Sequence, residues 1–126
     1  MPIGNEIASF TSNITSMTKS TDSAGNHTFV MNVEGEVSGG WSGPVVGTIT
    51  GTTQDFQTGT YTADYAVYLT DGSVVTGVGS GTFGSTGNHA WQVNGTTKAS
   101  DGSRAASEGT LELASRSYNG KLMSIE

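Results

Sequence analysis

Apolar and polar residues alternate with a period of two along most of this chain, the spacing of strands that bury one face. The clearest run is residues 27–38, where Phe29, Met31, Val33 and Val37 share one face. Thr28, Asn32, Glu34 and Glu36 take the other, with Val30 the exception. Residues 56–70 repeat the pattern, with Tyr61, Ala63, Tyr65, Val67 and Leu69 opposite Thr60, Thr62, Asp64, Ala66 and Tyr68. Further extended runs fall at residues 6–19, 45–52, 73–83, 89–98, 104–116 and 121–125, each closed by a Gly-, Asn- or Asp-centred turn. Residues 104–114 hold Ala, Glu and Leu that would suit a short helix, but Gly109 and the surrounding strands favour a strand.

Eight extended runs joined by short turns predict an all-β protein. Asp71-Gly72 and Asn119-Gly120 are the strongest hairpin signals, because a two-residue type I′ turn needs positive φ at both central positions. Sequential strands with short turns can bury one face each by closing on themselves, and closure removes both sheet edges. The expected architecture is a single eight-stranded antiparallel up-and-down barrel occupying residues 1–126, with the last strand pairing with the first. A two-layer sandwich would need long crossovers, and the spacing of the turns leaves no room for them. In the fifth run Gly77, Gly79 and Gly81 fall on one face, where missing side chains let a strand coil or another group approach closely.

The chain's 126 residues make one domain with one core. Eleven Asp and Glu against five Lys and Arg leave a formal charge of −6, which repels phosphates and argues against nucleic acid and anionic membranes as partners. No apolar stretch is long enough to span a bilayer as a helix. The N-terminal Met-Pro-Ile-Gly-Asn-Glu lacks the basic and apolar parts of a signal peptide, and sequons at Asn13, Asn26 and Asn94 are expected by chance in so Ser/Thr-rich a chain. A cytoplasmic location is the expectation. With no cysteine, disulfides, thiol nucleophiles and Cys-based zinc sites are excluded, and no metal or cofactor motif is present.

The candidate chemistry lies in the barrel interior and mouth. Phe29, Met31, Tyr61, Val67 and Trp91, with Val33, Tyr65 and Val93, form the expected lining. These residues are either plain core or the wall of a cavity for a small hydrophobic or aromatic molecule. His89 opens the sixth run on the same face as Trp91 and is the candidate acid–base group, with Tyr65 helping to position a substrate. Glu108 faces solvent by plain alternation, in a row with Arg104, Glu112 and Arg116. A bulge at Gly109 would turn it inward as a buried carboxylate. Trp41, bracketed by glycines in a loop, is a candidate ligand contact, a lid or a plug for one end of the barrel.

The run Thr58-Gly59-Thr60-Tyr61, Asp71-Gly72, Gly79-Ser80-Gly81-Thr82-Phe83 and Glu108-Gly109-Thr110 resembles bacterial members of the allene oxide cyclase-like barrel group. The likeness covers residues 25–115 in pattern and rests on turn and glycine positions. It implies a barrel, a homodimer or homotrimer, and in some members cyclase or isomerase chemistry on hydrophobic intermediates without a cofactor. A cysteine among the plant enzymes' catalytic positions has no counterpart here.

Three functions are consistent with the sequence. One is a cofactor-free isomerase, cyclase or lyase that steers an apolar substrate by shape with His89 and the interior tyrosines. Another is a lipocalin- or avidin-like binding barrel with the same lining and no turnover. The last is a carbohydrate-binding or structural β protein using Trp41 and polar loops. Outward Val30, Val46 or Tyr68 offer apolar surface to a second copy.

Overall fold

A computed structural model describes residues 3–125; residues 1, 2 and 126, including the first two of the stretch read for a signal peptide, lie outside the described residues. Eight strands follow one another: β1 (Ile3–Thr21), β2 (His27–Gly39), β3 (Gly43–Thr53), β4 (Thr58–Tyr68), β5 (Val74–Gly87), β6 (Ala90–Ala99), β7 (Arg104–Glu112) and β8 (Ser117–Ile125). Each pairs antiparallel with its sequence neighbours, and β8 returns to β1 to close the barrel. Closure runs through Ala8 opposite Leu122, Phe10 opposite Gly120 and Ser12 opposite Tyr118. The expected eight-stranded up-and-down barrel is therefore the observed one. No described helix is long and apolar enough to cross a membrane, and the outward strand faces are mostly Thr, Ser, Asn and charged residues.

Residues 104–112 form strand β7, not a helix, as Gly109 suggested, but β8 begins earlier than the turn signals implied. Asn119-Gly120, read as a type I′ turn, lies inside β8: Gly120 sits opposite Gly109 on one side and Phe10 on the other. A Cβ at Gly120 would collide with the Glu108 carbonyl, so this glycine is required by close strand packing rather than by a turn. The actual turn spans residues 113–116, with Arg116 donating its amide to the Leu113 carbonyl at 3.1 Å and taking the left-handed conformation at φ 51°.

Asp71-Gly72 does turn the chain, but in a three-residue loop. The Leu69 amide bonds Ser73 O at 2.9 Å, the Gly72 amide bonds Leu69 O at 3.0 Å, and only Gly72 has positive φ. Residues 99–103 repeat this loop with Gly102 at φ 88°. The two-residue turn with positive φ at both positions is made instead by Asn88 and His89, at φ 53° and 59°.

Inside the barrel, large rings lie over glycines of the neighbouring strands. Tyr65 stands opposite Gly47 and Gly77, Tyr61 opposite Gly51 and Gly81, and Phe83 opposite Gly59. A Cβ at Gly77 would collide with the Tyr65 ring, and one at Gly95 with the Tyr61 hydroxyl. The glycine face of β5 is thus filled by β4 side chains, an aromatic-over-glycine arrangement that lets strands curve tightly around small volume. Two core clusters result. One joins Ile14, Met31, Ile49, Tyr61, Val93 and Leu111. The other joins Ala8, Val37, Val67, Ala105 and Leu122.

Candidate functional site

The two clusters correspond to two unequal halves of the interior. At the end formed by the β2–β3, β4–β5 and β6–β7 turns, side chains fill the barrel and leave a void of only about 110 Å³. Trp41 packs against this end with its ring 6.5 Å from that of Tyr65, whose hydroxyl bonds Thr97 Oγ1 at 2.6 Å. Burial pushes the Tyr65 phenol up from its ordinary pKa despite the opposing Thr97 bond, so it is neutral at physiological pH. Trp41 acts as the plug that its flanking glycines allowed.

The other half holds a cavity of about 770 Å³ that reaches the β1–β2, β3–β4, β5–β6 and β7–β8 turns. A volume of that size is within the range of small-molecule sites, roughly 300–1,000 Å³. Phe29, Met31, Ile49, Phe83, Trp91 and Leu111 supply most of its apolar wall. Tyr61 and Tyr118 line both voids and form the floor between them. Tyr61 places its hydroxyl 3.5 Å from Ser107 Oγ. Burial, reinforced by the neighbouring Tyr61, keeps the Tyr118 phenol protonated far above its ordinary value. No buried side-chain polar atom among the described residues lacks a partner, and the cavity wall is mainly apolar.

Polar groups collect at the rim. Lys19, Gln57, Asn88 and His89 line it. Lys19 Nζ donates to Thr21 Oγ1 at 2.8 Å, and Thr21 Oγ1 lies 2.9 Å from His27 Nδ1. His27 is half-buried and stacks on Phe56 with ring centroids 4.3 Å apart. Phe56 belongs to the β3–β4 loop and is held there at φ 62°, a left-handed conformation rare for a bulky residue. The loop is tied by Asp55 Oδ1, which accepts from the Gln57 and Thr58 amides at 2.8 and 2.9 Å. These bonds hold the Asp55 carboxyl below its ordinary pKa. Trp91 Nε1 donates to the Phe56 carbonyl at 3.0 Å, joining the cavity wall to this loop.

The structure brings His89, Phe29, Met31, Tyr61 and Trp91 together around one cavity. It places Tyr65, Val67 and Trp41 around the small void at the plugged end. Val67 is 1% exposed, a pure packing residue. Glu108 is on the outside: the pairing runs unbroken through Asn94–Glu108 and Val93–Gly109, with no bulge to turn it inward. Its carboxylate instead pairs with Lys121 Nζ at 3.4 Å on the barrel surface. The inward-facing alternative for Glu108 is thereby corrected. His89 precedes β6 rather than starting it, and its side chain stands at the exposed turn on the cavity rim.

Sequence reasoning passed over Phe56, Phe83, Tyr118 and Lys19. Tyr118 falls in the loop expected around Asn119-Gly120 but lies in β8, and Phe56 opens the expected run 56–70 but lies in the β3–β4 loop. Among the described residues no three His, Asp or Glu side chains gather as a metal site. Compared with known proteins, the chain matches no family model, no curated protein and no solved structure.

Proposed function

We propose that the open half of the barrel binds a small apolar or aromatic molecule, with the ligand's polar end at the rim beside Lys19, Asn88 and His89. The observation that carries this reading is the unequal division of the interior: one half is packed shut, while the other leaves about 770 Å³ between aromatic walls. A folded chain gains by filling such a void, because unopposed walls forfeit dispersion contacts. A ligand restores those contacts.

Titration with an apolar naphthalene-type fluorophore tests it. Binding is expected to be saturable, and Trp91→Ala is expected to weaken it about tenfold through lost aromatic contact area. Trp41→Ala, at the plugged end, should leave affinity within about twofold while lowering stability by about 3 kcal/mol. Non-saturable binding, or equal losses in both variants, would overturn the proposal. The carbohydrate reading has less support, since Trp41 is half-buried and packed against the core at the plugged end beside Tyr65.

One observation favours a second reading, turnover of the bound molecule by a cofactor-free isomerase or cyclase. His89 holds a left-handed backbone at φ 59° where glycine would be unstrained, directly on the cavity rim. His89→Gly is expected to raise stability by up to about 1 kcal/mol in a denaturant melt, since a left-handed L-residue costs about 1–2 kcal/mol and glycine's extra unfolded-state freedom returns part of it. An enzyme would lose turnover in this variant while keeping affinity. A binder would keep everything, and a destabilised variant would remove the strain argument.

A further inference from the structure

The barrel exterior carries a row of outward residues whose charges fit a second copy of the same row. Thr48, Asp64, Val78, Lys98 and Arg104 are cross-strand partners in succession over β3 to β7. Val78 at its centre is 60% exposed, the most exposed of the large hydrophobics, and Val74 on the same face of β5 is 49% exposed. Asp64 flanks this apolar strip on one side, and Lys98 and Arg104 flank it on the other.

Two features make this arrangement unfavourable for an isolated chain. Like charges placed directly opposite across strands destabilise a sheet, and Lys98 faces Arg104 in register. Neither makes an ion pair among the described residues, where the pair present is Glu108–Lys121. The row is also the exception in a chain of formal charge −6, because two of its five cations meet here. Two copies approaching by most other faces would repel each other.

We propose that the protein forms a two-fold dimer through the outer face of β5, with the axis running between the copies along that strand. Such an axis sets Val74 and Val78 on their own counterparts and exchanges the flanks. Asp64 of each copy then faces Lys98 of the other, with Arg104 alongside, giving two identical ion pairs around an apolar centre. Barrel walls diverge away from the axis, and the long Lys98 and Arg104 side chains span that gap.

Sedimentation velocity over a dilution series tests the arrangement. The wild-type chain is expected to dimerise, with the dimer weakening as salt rises. Asp64→Lys and Lys98→Asp should each raise the dissociation constant roughly a hundredfold, because the symmetry applies each like-charge contact twice. Mixing those two variants in equal amounts should restore the dimer, since the mixed pair alone places opposite charges at both contacts. Both substituted positions are exposed, so circular dichroism should be unchanged throughout. A wild-type monomer at every concentration overturns the proposal, as do dimers indifferent to either charge and a mixture that stays monomeric. Capture of a sulfate or phosphate by Lys98 and Arg104 in a monomeric chain would also overturn it, and would mark the pair as an anion site.

Discussion

Gly81→Val is expected to destabilise the barrel by about 3 kcal/mol or more, enough to leave it partly unfolded at moderate denaturant. The reason is local and steric. Gly81 of β5 stands opposite Gly95 of β6, and a Cβ at Gly81 would land on the Asn94 carbonyl oxygen and the Gly95 Cα. Those atoms are backbone and cannot rotate away, so β5 and β6 must separate. Tyr61 then loses its seat as well, because its ring crosses the strip that the two glycines leave open. Overpacking alone costs about 1–3 kcal/mol, and displacing a buried aromatic adds to that. Total stabilities of about 5–15 kcal/mol make such a loss severe. Gly84→Ala on the same strand is the control. Its added Cβ would meet nothing within 4 Å, so its effect should stay within about 1 kcal/mol. Urea melts of both variants check the prediction, and similar midpoints would refute the packing argument.

The contrast between these glycines explains what the sequence could and could not reveal. Alternation in residues 27–38 and 56–70 exposed two strands directly, and the short turns between successive runs implied closure. Those signals are local and follow from strand periodicity. What fills the Gly77, Gly79 and Gly81 face is not local, because it depends on the β4–β5 register that sets Tyr65 over Gly77 and Tyr61 over Gly81. Read alone, the glycines allow a coiled strand or the close approach of another group, without saying which group. In the fold β4 rings make that approach, and the open cavity lies one level further along, toward Phe29 and Trp91.

Turn chemistry misled in the same way. Asn119-Gly120 carries a strong turn signature, yet Gly120 is spent on close packing beside Phe10 and Gly109. The turn that does form there uses Arg116 in a conformation that side-chain identity does not advertise. Phe56 was hidden for a related reason. Its placement at the cavity mouth comes from Asp55 capping the adjacent loop amides, and from Trp91, far along the chain, donating to the Phe56 carbonyl. His89, Phe29, Tyr61 and Trp91 were legible because they sit near strand ends or on clean alternating faces.

Gly51→Phe separates the proposed site from the fold that surrounds it, and it is expected to abolish ligand binding without weakening the barrel. Gly51 lines the large cavity from β3, and its backbone is not left-handed. A Cβ there would meet only the Phe83 ring edge, at 3.5 and 3.9 Å, and the Thr60 carbonyl at 3.9 Å, which is ordinary van der Waals contact. Unlike Gly81, this glycine accepts a Cβ at ordinary contact distance, and it borders the open cavity. A phenylalanine can therefore enter the cavity in place of a ligand and recover the dispersion contacts that the void lacks. Replacing a strand glycine also removes a backbone entropy penalty of roughly 0.5–1 kcal/mol, so the melting midpoint should hold or rise. Fluorophore affinity should fall at least about a hundredfold, because one ring occupies the volume that the probe needs. A variant that unfolds would show that the cavity wall is tighter than its contacts indicate. A stable variant that still binds with wild-type affinity would place the ligand elsewhere and remove the open half of the barrel as the site.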